Sequence, residues 1–192
     1  MPKAPLIILS GPSGCGKSTV VRHLLARGDL PLRVSVSATT RAMRDGEAAG
    51  VSYHFWDRGR FERERGLGGF LEWAEVHGNL YGTLRAEVEP YREQGTGVIL
   101  VIDVQGAERV RQACPDAVSI FLEPPSPEVL EQRLRGRGTE DEATIQRRLD
   151  VARRELARAG EYQYRVVSDD LDRTVAEVHD IIRRCFERSY RA

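Results

Sequence analysis

Residues 6–9 are an uninterrupted apolar run that ends in a glycine-rich turn, and a helical pattern follows over residues 18–26. A short run of that kind reads as a strand buried on both faces that feeds a helix. The runs at 98–102 and 118–122 are also mainly apolar and β-branched, with a helical stretch at 106–112 between them. Such alternation predicts an α/β fold with a parallel sheet covered by helices on both faces. Between residues 35 and 84 the rhythm breaks. That stretch is rich in Gly, Thr, aromatic and charged residues, with strand-like pieces such as 51–56, and reads as an inserted substrate subdomain. After Pro124 the chain turns Arg- and Glu-rich, with helical patterns at 127–135, 142–159 and 172–190, the first preceded by Ser126 as an N-cap.

Composition narrows the function classes. The 192 residues carry 29 basic and 29 acidic side chains. A balanced charge argues against a nucleic acid or a membrane surface as partner, since attraction to either scales with excess Lys and Arg. Cys15, Cys114 and Cys185 are odd in number and far apart, with no paired spacing that suggests a disulfide framework or a zinc site, and no 18 apolar residues run together. The cytoplasm is the compartment expected.

The glycine-rich turn carries the first chemistry. Gly11-Pro12-Ser13-Gly14-Cys15-Gly16-Lys17-Ser18 matches G-x-x-x-x-G-K-[ST] between a strand and a helix, the context the motif requires, and Thr19 continues into the helix. Glycines let successive N–H groups converge on a phosphate, and the helix N-terminus adds partial positive charge. Lys17 is expected on the β- and γ-phosphates of ATP, and the Ser18 hydroxyl on Mg²⁺. With 27 arginines and only two lysines in the chain, Lys at this position is informative, because a compact ammonium fits where a planar guanidinium does not. Cys15 reads as a small tolerated residue, although a neighbouring helix N-terminus can lower a thiol pKa. Asp103, after the run at 98–102, reads as a carboxylate assisting Mg²⁺ or substrate, or as a helix cap.

A second anion site lies in the insert. Residues 35–47 gather Arg41, Arg44, several hydroxyls and Glu47, a set able to clamp a phosphate dianion and read a base edge. Here the chain closely resembles the guanylate kinase family, through residues 35–53, 70–74, 78–83, 102–106, 133–139 and 169–172 in the family's order. The resemblance implies a P-loop NTPase-type core of about 1–36, 91–125 and 161–192, a GMP-binding insert of about 37–90 and a helical lid of about 126–160. It implies transfer of the ATP γ-phosphoryl group to GMP, and to dGMP, with Mg²⁺, for supply and recycling of guanine nucleotides. It places Arg41, Arg44, Tyr53 and Tyr81 on the GMP phosphate, Ser37, Glu72, Thr83 and Asp103 on guanine, and Glu47 behind the arginines. Arg133, Arg137 and Arg148 would cover ATP from the lid and, with Lys17 and Arg41, neutralise the transferred group. Arg135 and Arg147 read as solvent-facing helix residues. His23, His54, His77 and His179 show no ligand or triad spacing.

Two positions depart from the family pattern. Val101 stands where an acidic residue is frequent, which puts a secondary Mg²⁺ or substrate contact in doubt, and Ser168 stands where Asn is frequent near the adenine pocket. A related kinase acting on a ribose bisphosphate, or an inactive peptide-binding scaffold, are the competing readings. Monomer and homodimer are both open.

Overall fold

The computed structural model describes residues 3–76, 78–136 and 141–189. Strand β1 (Leu6–Ser10) passes through the glycine-rich turn into α1 (Lys17–Arg27) and then β2 (Leu32–Val34). Next come β3 (Ala38–Thr39), β4 (His54–Phe55), α2 (Arg58–Gly66), β5 (Phe70–Val76) and β6 (Asn79–Leu84). A 3₁₀ turn (Arg85–Glu87) and α3 (Glu89–Glu93) return the chain to β7 (Gly97–Val101), α4 (Val104–Ala113) and β8 (Val118–Glu123). Helices α5 (Pro127–Arg135) and α6 (Glu142–Leu156), a second 3₁₀ turn (Ala159–Glu161), β9 (Tyr164–Val167) and α7 (Leu171–Ser189) complete the order.

Two sheets result. The larger has the order β2-β7-β1-β8-β9, and every pairing in it is parallel. Strand β1 at its centre is fully buried and sorts its side chains by the two-residue period of a strand. Ile7 and Leu9 pack with Val20, Leu24, Val178 and Ile182 on one face, while Leu6 and Ile8 pack with Val104, Ala107 and Val110 on the other. Each of the Val, Leu and Ile side chains contributes about 1.5–3 kcal/mol by burial, enough to fix a sheet with helices on both sides.

The smaller sheet has the order β4-β3-β6-β5, with β5 and β6 forming an antiparallel hairpin. Its core is small: Ala38, Phe61, Phe70, Leu80 and Leu84, with Phe61 and Phe70 stacked at 4.4 Å between centroids.

The sequence pattern located β1, α1, β7, α4, β8, α5 and α7 to within a residue or two, gave no separate signal for β3, α2, β5, β6 and α3, and differs elsewhere. Only His54 and Phe55 of the stretch 51–56 form a strand; Val51 and Ser52 form a turn after Gly50, which sits at φ 75°. Helix α6 ends at Leu156 and the chain then tightens into the 3₁₀ turn, so the helix expected to 159 is shorter. Strands β2 and β9 carry no clear signal, because Arg33 and Arg165 interrupt their apolar runs.

What matters for function is the edge where parallel strands end. Because β1 and β7 are neighbours, the glycine-rich turn after one and Asp103 after the other lie side by side, joined by the Ser10 hydroxyl donating to the Ile102 carbonyl at 2.6 Å. Ligands of open α/β sheets bind at this carboxyl edge.

Candidate active site

The phosphate-binding loop has the backbone its glycines allow. Gly11 sits at φ 145°, and a Cβ there would lie 2.3 Å from the Leu122 carbonyl oxygen, so β8 leaves no space for any side chain. Gly16, at φ 80°, is the N-cap of α1 and offers no side-chain acceptor to the first turn. The N–H groups of that turn therefore keep their capacity for an anion. Lys17 curls back over the loop, its ammonium donating to the Gly11 carbonyl at 2.5 Å and the Pro12 carbonyl at 3.0 Å.

Ser13 and Ser18 are exposed, whereas Cys15 is wholly buried. Burial pushes the Cys15 thiol up to about 11, against the pull of Lys17 and Arg133. The helix terminus does not activate this thiol; desolvation wins.

Across the edge, Ser37, Tyr53, Glu72, Tyr81, Asp103 and Gly106 line a pocket of about 230 Å³. Glu72 is its buried acceptor. It is only 9% exposed, and Thr83, fully buried, donates its hydroxyl to Glu72 Oε1 at 2.8 Å. Burial raises the Glu72 pKa and the Asp103 charge adds to that, while the Thr83 hydrogen bond and the Arg109 charge oppose it. A bulge in the β5–β6 ladder between Phe70 and Glu72 aims this side chain. Phe70 enters the small aromatic core, Leu71 the main core, and Glu72 the pocket. Bulges beside functional sites act in this way, re-directing one residue of a strand.

At the pocket's outer end Arg41 and Glu47 form a bidentate pair at 2.7 and 3.0 Å, and Glu47 also accepts from the Arg44 backbone N–H at 2.8 Å. Glu47 first, and Tyr81 after it, hold the Arg41 guanidinium above its ordinary pKa. The Tyr53 and Tyr81 rings meet edge-on at 6.0 Å, and the Arg41 guanidinium carbon lies 5.5 Å from the centre of the Tyr53 ring. Arg44 projects from the exposed loop beside them. Arg41, Tyr53, Tyr81 and Glu47 are thus brought together, with Glu47 bonded to the Arg41 guanidinium.

The donor side is looser. Arg133 on α5 donates to the Ser168 carbonyl at 2.8 Å. Arg148 and Arg147 on α6 face Ser13 across a cavity of about 740 Å³, with Glu155 on its wall. Arg147 is exposed and bonded to Thr144 Oγ1 at 2.8 Å, and Arg135 pairs with Glu131 and Glu142 on the surface. Arg137 lies outside the described residues. Ser168 abuts the loop, its hydroxyl 3.7 Å from where a Gly16 Cβ would stand, and Val101 lines the acceptor pocket.

A magnesium ion prefers hard oxygen ligands and shares them with substrate phosphates. Ser18 and Asp103 supply such oxygens. Asp103 Oδ1 accepts from the N–H groups of Gln105 and Gly106, capping α4 at 3.0 and 2.8 Å, so the cap reading and the pocket reading of this residue hold together. Burial pushes the nearby Glu155 carboxyl up to about 7, with Lys17 opposing and Asp103 adding to the rise. The Ser18 hydroxyl and the Asp103 carboxylate are hard oxygen donors of the kind Mg²⁺ takes. Glu155 and Arg109 escaped the sequence reading, since a charged residue in a charged amphipathic helix gives no sign of which way it points.

Comparison with known proteins agrees with this geometry. The family model for guanylate kinase matches residues 3–185. A guanylate kinase from Rubrobacter xylanophilus is 51% identical over 185 residues, covering 96% of both chains, and one from Alcanivorax borkumensis is 50% identical over 180 residues, covering 94% of this chain and 86% of that one. The solved guanylate kinase of Anaplasma phagocytophilum superposes with a TM-score of 0.77 at 36% identity, over 95% of this chain and 86% of its own. A gluconokinase from Sinorhizobium meliloti, at TM-score 0.51 and 18% identity over 99% of this chain and 98% of its own, shares the fold alone. The first three matches carry more than a shared fold: the chain belongs to the guanylate kinase family of enzymes.

Proposed function

We propose that this chain transfers the γ-phosphoryl group of MgATP to GMP, and equally to dGMP, and so supplies and recycles guanine nucleotides in the cytoplasm. The observation that carries the reading is the buried Glu72–Thr83 pair in the acceptor pocket. Guanine presents an N1–H and an exocyclic amine to a carboxylate, adenine has no N1–H to give, and a buried acceptor left unpaired discriminates strongly. Acceptance of dGMP follows because the assigned groups address the base (Ser37, Glu72, Thr83, Asp103) and the phosphate (Arg41, Arg44, Tyr53, Tyr81), with none assigned to the ribose.

In this reading the insert of about 37–90 holds GMP, the core holds ATP on the loop 11–19, and the lid of about 126–160 brings Arg133, Arg137 and Arg148 over the phosphates. Ser18 and Asp103 would hold Mg²⁺, which when bound would offset charge on the ATP phosphates. Lys17 leaves its loop carbonyls for the phosphates, Arg41 faces the acceptor phosphate, and the lid arginines complete the positive cage. Phosphoryl transfer needs alignment and charge more than covalent help, and closure excludes water. The acceptor phosphate is largely ionised near neutral pH, so no general base is required. Every group used comes from one copy of the chain, so the mechanism serves a monomer and a homodimer alike.

ADP formation with MgATP and, in turn, GMP, dGMP, AMP, CMP, UMP and ribose 1,5-bisphosphate tests the reading. Turnover confined to GMP and dGMP is expected. Activity on ribose 1,5-bisphosphate without GMP would overturn the base-reading roles, and a folded chain with no turnover at all would point to a peptide-binding scaffold instead.

A further inference from the structure

Strand β5 is an edge of its sheet, because β6 pairs with it on one side only. Edge strands are the weakly held members of a sheet, and this one also carries the bulge that aims Glu72. What braces it lies on α4. Asp103, Gly106 and Arg109 fall at i, i+3 and i+6, one face of a helix, and that face lies against β5. At Gly106 the approach is close: a Cβ there would stand 3.4 Å from Glu72 Oε2 and 3.5 Å from Asp103 Oδ1. One turn further on, Arg109 Nη1 donates to the Trp73 carbonyl at 2.5 Å, bonding the residue next to Glu72 across 36 positions of sequence. Arg65 lies over the Trp73 ring at 4.7 Å, so the same residue is held from two sides.

We infer that Arg109 is a positioning residue for acceptor recognition: by tying the bulged edge strand to α4 through the Trp73 carbonyl, it fixes where the Glu72 carboxylate meets the base. Glu72 and Arg109 share the wall of a second cavity of about 500 Å³ along β5. From there the guanidinium also opposes the burial and the Asp103 charge that disfavour ionised Glu72. Asp103 and Arg109 thus act on one carboxylate from two ends of a single helix face. The inference rests on the reading that Glu72 recognises guanine.

The test is steady-state kinetics on Arg109→Met, which keeps the apolar stem and removes the donors and charge, alongside Glu72→Gln and the double variant. Arg109→Met is expected to raise KM for GMP about fivefold to tenfold, with kcat and KM for ATP within twofold of the parent, the scale of a partly screened charged contact. In the Glu72→Gln background the same substitution is expected to add less than twofold, because contacts acting through one group are not additive. Unchanged KM for GMP in Arg109→Met, or a full effect that persists without the Glu72 carboxylate, would overturn the inference. If Glu72→Gln itself leaves KM for GMP unaltered, the failure lies with the guanine-reading role instead.

Discussion

The acceptor and donor halves of the site differ in how far they are assembled. In the acceptor half Arg41 already holds Glu47 through both nitrogens, Thr83 already holds Glu72, and Tyr53 stands against Tyr81. In the donor half Lys17 donates to carbonyls of its own loop, Arg133 to the Ser168 carbonyl, and Arg148 faces Ser13 across an open cavity. Base selection depends on a fixed arrangement of buried polar groups, which must be satisfied before substrate arrives or the fold would not tolerate them. Charge neutralisation depends on cations that pass from protein oxygens to phosphate, and those can wait on the protein meanwhile. The two halves should therefore respond to mutation in different kinetic parameters.

Lys17→Ala gives the largest effect expected. Removing the ammonium from the transferred phosphoryl group should lower kcat about a thousandfold, the loss typical of a single preorganised charge-stabilising group, while KM for GMP stays within a few-fold. Turnover against GMP concentration, with a thermal melt to confirm folding, measures both. Near-parent turnover in the folded variant would remove Lys17 from the chemistry.

Glu72→Ala should act on the other half. We expect about a hundredfold loss in kcat/KM for GMP, carried chiefly by KM, together with a smaller ratio of GMP to AMP use, since the wrong base no longer leaves a buried carboxylate unpaired. Competition assays with both nucleotides read that ratio. An unchanged ratio would mean that selection lies elsewhere in the pocket.

These halves were not equally visible in the sequence. The loop 11–18 is local, so spacing alone exposed it, and the long runs of β1, β7 and β8 placed it at the edge of a parallel sheet. The insert joins two-residue strands, β3 and β4, to a β5–β6 hairpin whose ladder is broken by a bulge. No periodicity fits in two residues. Its site residues were proposed by resemblance, and what positions Glu72 was hidden: a bulge, a glycine 34 positions later and the backing of Arg109 are all long-range facts. The lid arginines were legible as a charged helical face, but which of them point at the loop is set by how α5 and α6 pack.

Thr83→Val sharpens the comparison within the acceptor half. The substitution keeps shape and removes the hydroxyl that opposes the burial of Glu72, so the Glu72 pKa, already raised, rises further. Guanine needs the ionised carboxylate, and that form is lost as pH falls through the folded pKa. The acid limb of kcat/KM for GMP should therefore sit above the ordinary carboxylate range in the parent and move upward by about one pH unit in Thr83→Val. A pH profile from 5 to 8 measures the shift, and coincident limbs would show that Thr83 does not tune the carboxylate.

The smallest effect belongs to Cys15, and it separates the loop's backbone role from its side chains. A thiol beside a helix N-terminus can be reactive, but this one is packed among Val20, Leu130 and Leu134, and burial holds it at about 11. At pH 7.5 that leaves roughly three hundredfold less thiolate than an exposed thiol of pKa about 8.5 would have. The folded chain should resist iodoacetamide at Cys15 over a time that fully labels the denatured chain, as read by peptide mass. Cys15→Ala should keep kcat/KM for both substrates within about twofold, because the thiol is buried in the hydrophobic core and absent from the linings of the cavities beside the loop. Rapid labelling of the folded chain would show that the loop opens far enough to solvate the thiol, and the donor half would then be looser still than its open cavity suggests.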